Sequence, residues 1–155
     1  CHGSDARGQR GFPNLTDADW LYGGSPEKIT ETLINGRRAM MPAQLAVHGE
    51  DGIEELVAYV LSLSNRPDLE QTTVDAGQAR FAVCAACHGQ NGKGNQLIGA
   101  PNLTDQIWLY GGTEKAITET LRYGRNGVMP AFKNTLGEKK IHMVSAYVYS
   151  LSQDK

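Results

Sequence analysis

The chain has 155 residues, 40% of them apolar, and a formal net charge of −2. A balance this close to neutral argues against a nucleic-acid binder. The length suits one domain or two very small ones, and two small domains would have thin cores that gain from a staple, a metal or a large cofactor.

The chain opens on Cys1-His2-Gly3 with neither an initiator Met nor a signal peptide. It reads as a fragment, with any export signal or membrane anchor upstream. Gly3–Gly11 is a Gly-rich loop. Ser25 is an N-cap with Pro26 at the first helical position, and Gly36 is the stop of that helix. A basic loop then carries Met41-Pro42-Ala43. Ile53, Leu56, Val57 and Val60 recur on one helical face. The polar stretch 65–74, containing Pro67, is the linker. Asp75 to Ala85 predicts a short helix leading into Cys84-Ala85-Ala86-Cys87-His88. Gln90–Gly99 is a second Gly-rich loop. Thr113 and Gly124 bracket another helix, and Ile141, Val144 and Val148 line the last. Strand signals are absent. No apolar run approaches the roughly 18–20 residues that span a bilayer.

Pro13 to Ser64 reappears as Pro101 to Ser152 without a gap, at an offset of 88 residues. More than half of the paired positions are identical. Pro-Asn-Leu-Thr-Asp recurs at 13 and 101, Trp-Leu-Tyr-Gly-Gly at 20 and 108, Ile-Thr-Glu-Thr-Leu at 29 and 117, and Met-Pro-Ala at 41 and 129. Two copies with so long a period indicate a duplicated small domain, not a solenoid. The expected domains are 1–64 and 75–155, joined by the linker 65–74. With a two-residue gap, Cys1-His2-Gly3 falls on Cys87-His88-Gly89. Cys1 is then the second cysteine of another C-x-x-C-H motif. Its partner, and a helix like Asp75–Ala86, would lie upstream. This accounts for the odd count of three cysteines.

C-x-x-C-H places two thiols about one helical turn apart, with an imidazole just beyond. The thiols can add to the two vinyl groups of one porphyrin while the histidine reaches the iron from the same side. A zinc site would need a second Cys/His pair at suitable spacing, and none is present. A thioredoxin-like dithiol would need a βαβ context, which is missing. The motif, with its half-copy at the head of the repeat, therefore indicates covalent haem c at Cys84, Cys87 and His88, and at Cys1 and His2. Among the candidates for the sixth ligand, Met41 and Met129 are the only methionines at equivalent positions, and each precedes Pro-Ala. Met40, paired with Val128, reads as packing. His48 and His142 read as surface or satisfied histidines, and Met143 as core or helix surface. Six-coordinate iron has no open position, which favours electron transfer over oxygen chemistry. Pro13 and Pro101 follow the histidines closely. A carbonyl near each would fix the imidazole through Nδ1, or each is a simple turn proline. Arg37 and Arg125 are either bidentate partners of haem propionates or solvated surface residues. Trp20 and Trp108 are haem-pocket walls or core.

The run from Cys84–Gly89 through Gly99–Asp105, Ile107–Gly112, Gly124–Ala131 and Ala146–Ser152 resembles the dihaem cytochrome c subunit of cbb3-type cytochrome c oxidases. Gly11–Asp17 and Asp19–Gly24 carry the same resemblance in the first copy, so it covers nearly the whole chain. The Asn-Leu-Thr-Asp and Trp-Leu-Tyr-Gly-Gly runs are its particular motifs. The resemblance implies an all-α chain of two tandem class I cytochrome c domains, each wrapped around one haem. It implies His2 with Met41 on one iron and His88 with Met129 on the other. It implies a periplasmic position on the bacterial inner membrane, with an anchor upstream of this chain. It further implies that electrons come from a donor cytochrome c and pass to the monohaem and catalytic subunits of a membrane oxidase.

A free periplasmic dihaem shuttle is the alternative, separable by whether an apolar segment of about 20 residues precedes the chain. A gas-sensing haem module is a third reading, and rapid CO binding to the reduced protein would favour it. No further cluster of acid, base and nucleophile indicates an active site of the chain's own.

Overall fold

The computed structural model describes residues 1–153. The last two residues of the expected second domain lie outside the described residues. Among the described residues eight elements follow one another: α1 (Pro26–Asn35), β1 (Arg37–Met41), α2 (Leu45–Leu63), α3 (Gln71–Arg80), α4 (Ala82–His88), α5 (Glu114–Tyr123), β2 (Arg125–Met129) and α6 (Lys133–Ser150). Helix dominates, as expected. The two short strands are a departure: they form one small sheet where no strand pattern was legible.

The helix boundaries obey the capping signals. Ser25 Oγ accepts the Lys28 amide at the start of α1, and Thr113 Oγ1 accepts the Ala116 amide at the start of α5. Each satisfies one of the otherwise unpaired N–H groups of a first turn. Gly36 and Gly124 end these helices. α3 begins at Gln71, capped by the Glu70 carboxylate on the Thr73 amide. The linker is accordingly shorter than expected, and the single helix expected over Asp75–Ala85 is two, broken at Phe81. α2 bends at Gly49 and α6 at Gly137, where φ near 70° interrupts the helical path.

Two compact units result, and they do not follow the repeats. The first comprises residues 1–39 and 126–155, the second residues 40–125. The expected division at 65–74 lies inside the second unit. The cause is packing. In the first unit, α1 of one repeat lies against α6 of the other. Ile29, Leu33 and Ile141 are its buried core, with Trp20, Met129, Phe132 and Val148 against them. In the second unit, α2 packs on both α3 and α5. Ile53, Leu56, Val57, Val60, Phe81, Ala85, Ile117 and Leu121 are buried there. The apolar faces read from helical periodicity are thus the core faces.

Candidate haem sites

Each repeat builds the same loop after its histidine. The histidine carbonyl accepts a backbone N–H six residues on: Gly8 onto His2 at 2.7 Å, Gly94 onto His88 at 2.8 Å. The two-residue gap between the repeats falls in the turn that follows, closed by Gln9 with Phe12 in one copy and Asn95 with Ala100 in the other.

The loop returns a proline carbonyl to the imidazole. His2 Nδ1 donates to the Pro13 carbonyl oxygen at 2.8 Å, and His88 Nδ1 to that of Pro101 at 3.0 Å. A carbonyl can only accept, so Nδ1 carries the proton and the lone pair sits on Nε2. That tautomer suits a metal ligand. His88 is buried, and burial pushes its pKa below the ordinary 6.5, against the opposing pull of the Pro101 carbonyl. The neutral ring is favoured. His2 is half-buried, with Phe12 edge-on at a centroid distance of 6.2 Å. Cys1, Cys84 and Cys87 are free thiols, Cys1 and Cys87 exposed. Burial raises the pKa of the Cys84 thiol, keeping it protonated.

A second shared device surrounds the arginines. Arg37 donates from Nε to Thr32 Oγ1 at 2.8 Å and from Nη1 to Glu31 at 3.0 Å, with its guanidinium 4.6 Å from the centre of the Tyr22 ring. Arg125 repeats this on Thr120 and Glu119, at 3.0 Å each, over Tyr110. In both arginines Nη2 is buried and lacks a hydrogen-bond partner, as does the Tyr22 hydroxyl. Burial raises the pKa of that phenol, the Arg37 charge opposing it. A buried guanidinium N–H with nothing to bond is costly. A carboxylate is its matching acceptor.

The methionines sit where the repeat alone would not put them. Met41 packs against the cluster that holds Cys84, Ala85, Leu103 and Trp108. Met129 packs against the cluster that holds Trp20. By packing, Met41 therefore keeps company with the His88 motif, and Met129 shares the unit of Cys1 and His2. The pairing implied by resemblance, His2 with Met41 and His88 with Met129, is not the one the fold brings together. The thiols, imidazoles, thioethers and orphaned guanidinium groups fit haem c in both units.

The sequence model of the family described as cytochrome c oxidase, cbb3-type, subunit III matches residues 1–60 and 72–148. The chain belongs to that family. It is 49% identical over 154 residues to the cbb3-type cytochrome c oxidase subunit CcoP of Rubrivivax gelatinosus, covering 99% of this chain and 50% of that relative. It is 46% identical over 166 residues to subunit FixP of Bradyrhizobium sp. (strain ORS 278), and 43% over 171 residues to CcoP of Rhodobacter capsulatus. Those alignments cover 100% and 97% of this chain and 57% of each relative. The chain spans about half the length of the curated relatives it matches.

In this subunit III chain, sequence reasoning missed Tyr22, Tyr110, Thr32, Thr120, Glu31 and Glu119 as holders of the arginines. Their identity across the repeat was the available signal. Met40 is a correction: expected as packing, it is 73% exposed. It alternates with the inward residues Ala39 and Met41 along β1. His48 is a second, its Nε2 enclosed without a hydrogen-bond partner. His142 and Met143 lie on the exposed side of α6. Among the described residues, no helix is long and apolar enough to cross a membrane.

Proposed function

We propose that this chain binds two haem c groups and carries electrons through them as the dihaem electron-entry part of a cbb3-type oxidase. Electrons would come from a donor cytochrome c and leave toward the monohaem and catalytic subunits. Haem supplies a one-electron Fe(III)/Fe(II) couple. The protein residues bind it, orient it and exclude water. Cys84 and Cys87 would hold one haem covalently, with His88 and Met41 binding its iron. Cys1 would hold the other, with His2 and Met129 binding its iron. The Pro13 and Pro101 carbonyls fix the imidazole tautomers. Trp20 and Trp108 form pocket walls, and Arg37 and Arg125 bind propionates through Nη2. An upstream anchor and a periplasmic position complete the reading.

One observation carries it: each compact unit unites a cysteine–histidine motif, the methionine of one Met-Pro-Ala run and an arginine of the repeated pair whose buried Nη2 has no hydrogen-bond partner. With a neutral imidazole and a thioether both bound, the iron would have no vacancy for substrate.

Haem quantitation on the purified full-length protein tests the stoichiometry, and two covalent haems are expected. Nuclear Overhauser contacts test the pairing. The Met41 methyl should contact the haem whose thioethers run to Cys84 and Cys87, and the Met129 methyl the other. One haem only, or contacts in the reverse pairing, would refute the assignment. In the assembled oxidase, donor cytochrome c should reduce these haems before the catalytic core. Equal rates in a complex lacking this subunit would remove the electron-entry role.

A further inference from the structure

We infer that Gly36 and Gly124 are positioning residues for the axial methionines, Gly36 seating Met129 and Gly124 seating Met41. The inference rests on the ligand reading proposed above and adds to it what holds each thioether.

Both glycines act as helix stops, their N–H groups bonded to the Thr32 and Thr120 carbonyls. Two features exceed that role. Their backbones, at φ 69°, ψ −176° and φ 70°, ψ −174°, lie outside the left-handed helical well of common C-caps, in a region essentially restricted to glycine. That conformation sends the chain straight from helix into strand. Both residues are also buried against backbone. A Cβ on Gly36 would collide with the Met129 carbonyl oxygen and stand 2.8 Å from the Ala131 nitrogen. On Gly124 it would collide with the Met41 carbonyl oxygen and stand 2.8 Å from the Ala43 nitrogen. No flexible side chain is there to yield.

A second fixed point follows three residues after each methionine. Gln44 donates its backbone N–H to the Leu121 carbonyl at 2.7 Å, and Phe132 to that of Leu33 at 2.8 Å. Gln44 Nε2 also holds the Pro42 carbonyl at 3.0 Å. Each methionine therefore hangs between a backbone seat and a backbone latch, both made by one helix end. A ligand atom must be held to within about 0.5 Å by such supports.

The test uses the full-length, haem-loaded, reduced protein with 13C-methyl methionine. An axial methionine methyl is shifted far upfield by the porphyrin ring current, and the loss of one such signal in Met41→Ala and of the other in Met129→Ala assigns the pair. Gly124→Ala should displace or abolish the Met41 signal and change the potential of that haem only. Gly36→Ala should do the same to Met129. Gln44→Ala, which introduces no backbone strain, should shift the Met41 signal alone. An unmoved Met41 signal in folded Gly124→Ala overturns the inference, as does movement of the Met129 signal instead. Where Gly124→Ala does not fold, an unmoved signal in Gln44→Ala overturns it. If neither methionine variant removes a shifted methyl signal, the ligand reading itself fails and this inference goes with it.

Discussion

Phe132 donates its backbone N–H to the carbonyl oxygen of Leu33 at 2.8 Å, although the two residues come from different repeats. Leu33 belongs to the last turn of α1, whose final carbonyls lack partners within the helix. The start of α6 supplies one. Gln44 does the same for Leu121 at the end of α5. Each helix end is thus completed by the other repeat, and the methionine loop comes with it.

Leu56 is fully buried in the second unit's core. Leu56→Ala should destabilise by roughly 2–5 kcal/mol, from lost burial and the cavity left behind. Leu97, 87% exposed, should tolerate Ala within about 0.5 kcal/mol. Denaturant titration of the haem-loaded protein, followed at the Soret band and by circular dichroism, separates them.

Gly77 lies where α3 crosses α2. A Cβ there would collide with the Glu55 carbonyl oxygen and stand 2.8 Å from Tyr59 Cβ. Gly77→Ala improves helix propensity by about 1 kcal/mol. Overpacking should nonetheless prevail, costing about 1–3 kcal/mol. The net change should be a lower denaturation midpoint; a raised midpoint would show that the crossing can open at no cost.

Arg125 Nη2 is a buried donor of the second unit with no hydrogen-bond partner. Oxidised haem carries one more positive charge than reduced haem, so a nearby cation disfavours oxidation. Arg125→Gln should lower the potential of the haem at Cys84 and Cys87. A tenfold change in its redox equilibrium is about 59 mV. Arg125→Lys should lose the fork but keep most of the charge, and so shift less. Spectroelectrochemical titration resolves the two couples.

Glu70 gives the stability an acid limb. The hydroxyl of Thr72, then those of Thr73 and its amide, bring the pKa of this carboxyl from 4.5 down to about 2. A depressed folded-state pKa contributes stability fully above the unfolded value, and that stability fades as pH falls from 4.5 through about 2. Glu70→Gln should melt below the native protein at neutral pH. The gap should close across that window. A gap of constant size from pH 6 to pH 2 would mean the carboxylate contributes no linked stability.

Much of the proposed site rests on signals local to the sequence. Cys84, Cys87 and His88 form a local motif whose spacing suits haem attachment. The duplicated Trp, Arg and Met positions followed from counting along the chain. The caps at Ser25 and Thr113 and the apolar faces of α2 and α6 are likewise local, because periodicity and side-chain hydrogen bonding act over one or two turns. Three things were not local. The strands β1 and β2 carry Arg, Gly and Met where β-branched residues would have announced them, and their extended form comes from pairing in a sheet. The arginine cradle joins an adjacent glutamate and threonine to a tyrosine from a separate run, and only folding brings the two together. Most of all, a repeat read by offset assigns each methionine to its own copy. Tertiary packing groups the methionines by exchange, because α1 buries its apolar face on α6, and α5 on α2. A sequence repeat specifies which faces must be covered, but identical faces in two copies can be covered within a copy or by exchange. Only the packed structure distinguishes the two, and it puts Met41 in the unit of Cys84 and Met129 in the unit of His2.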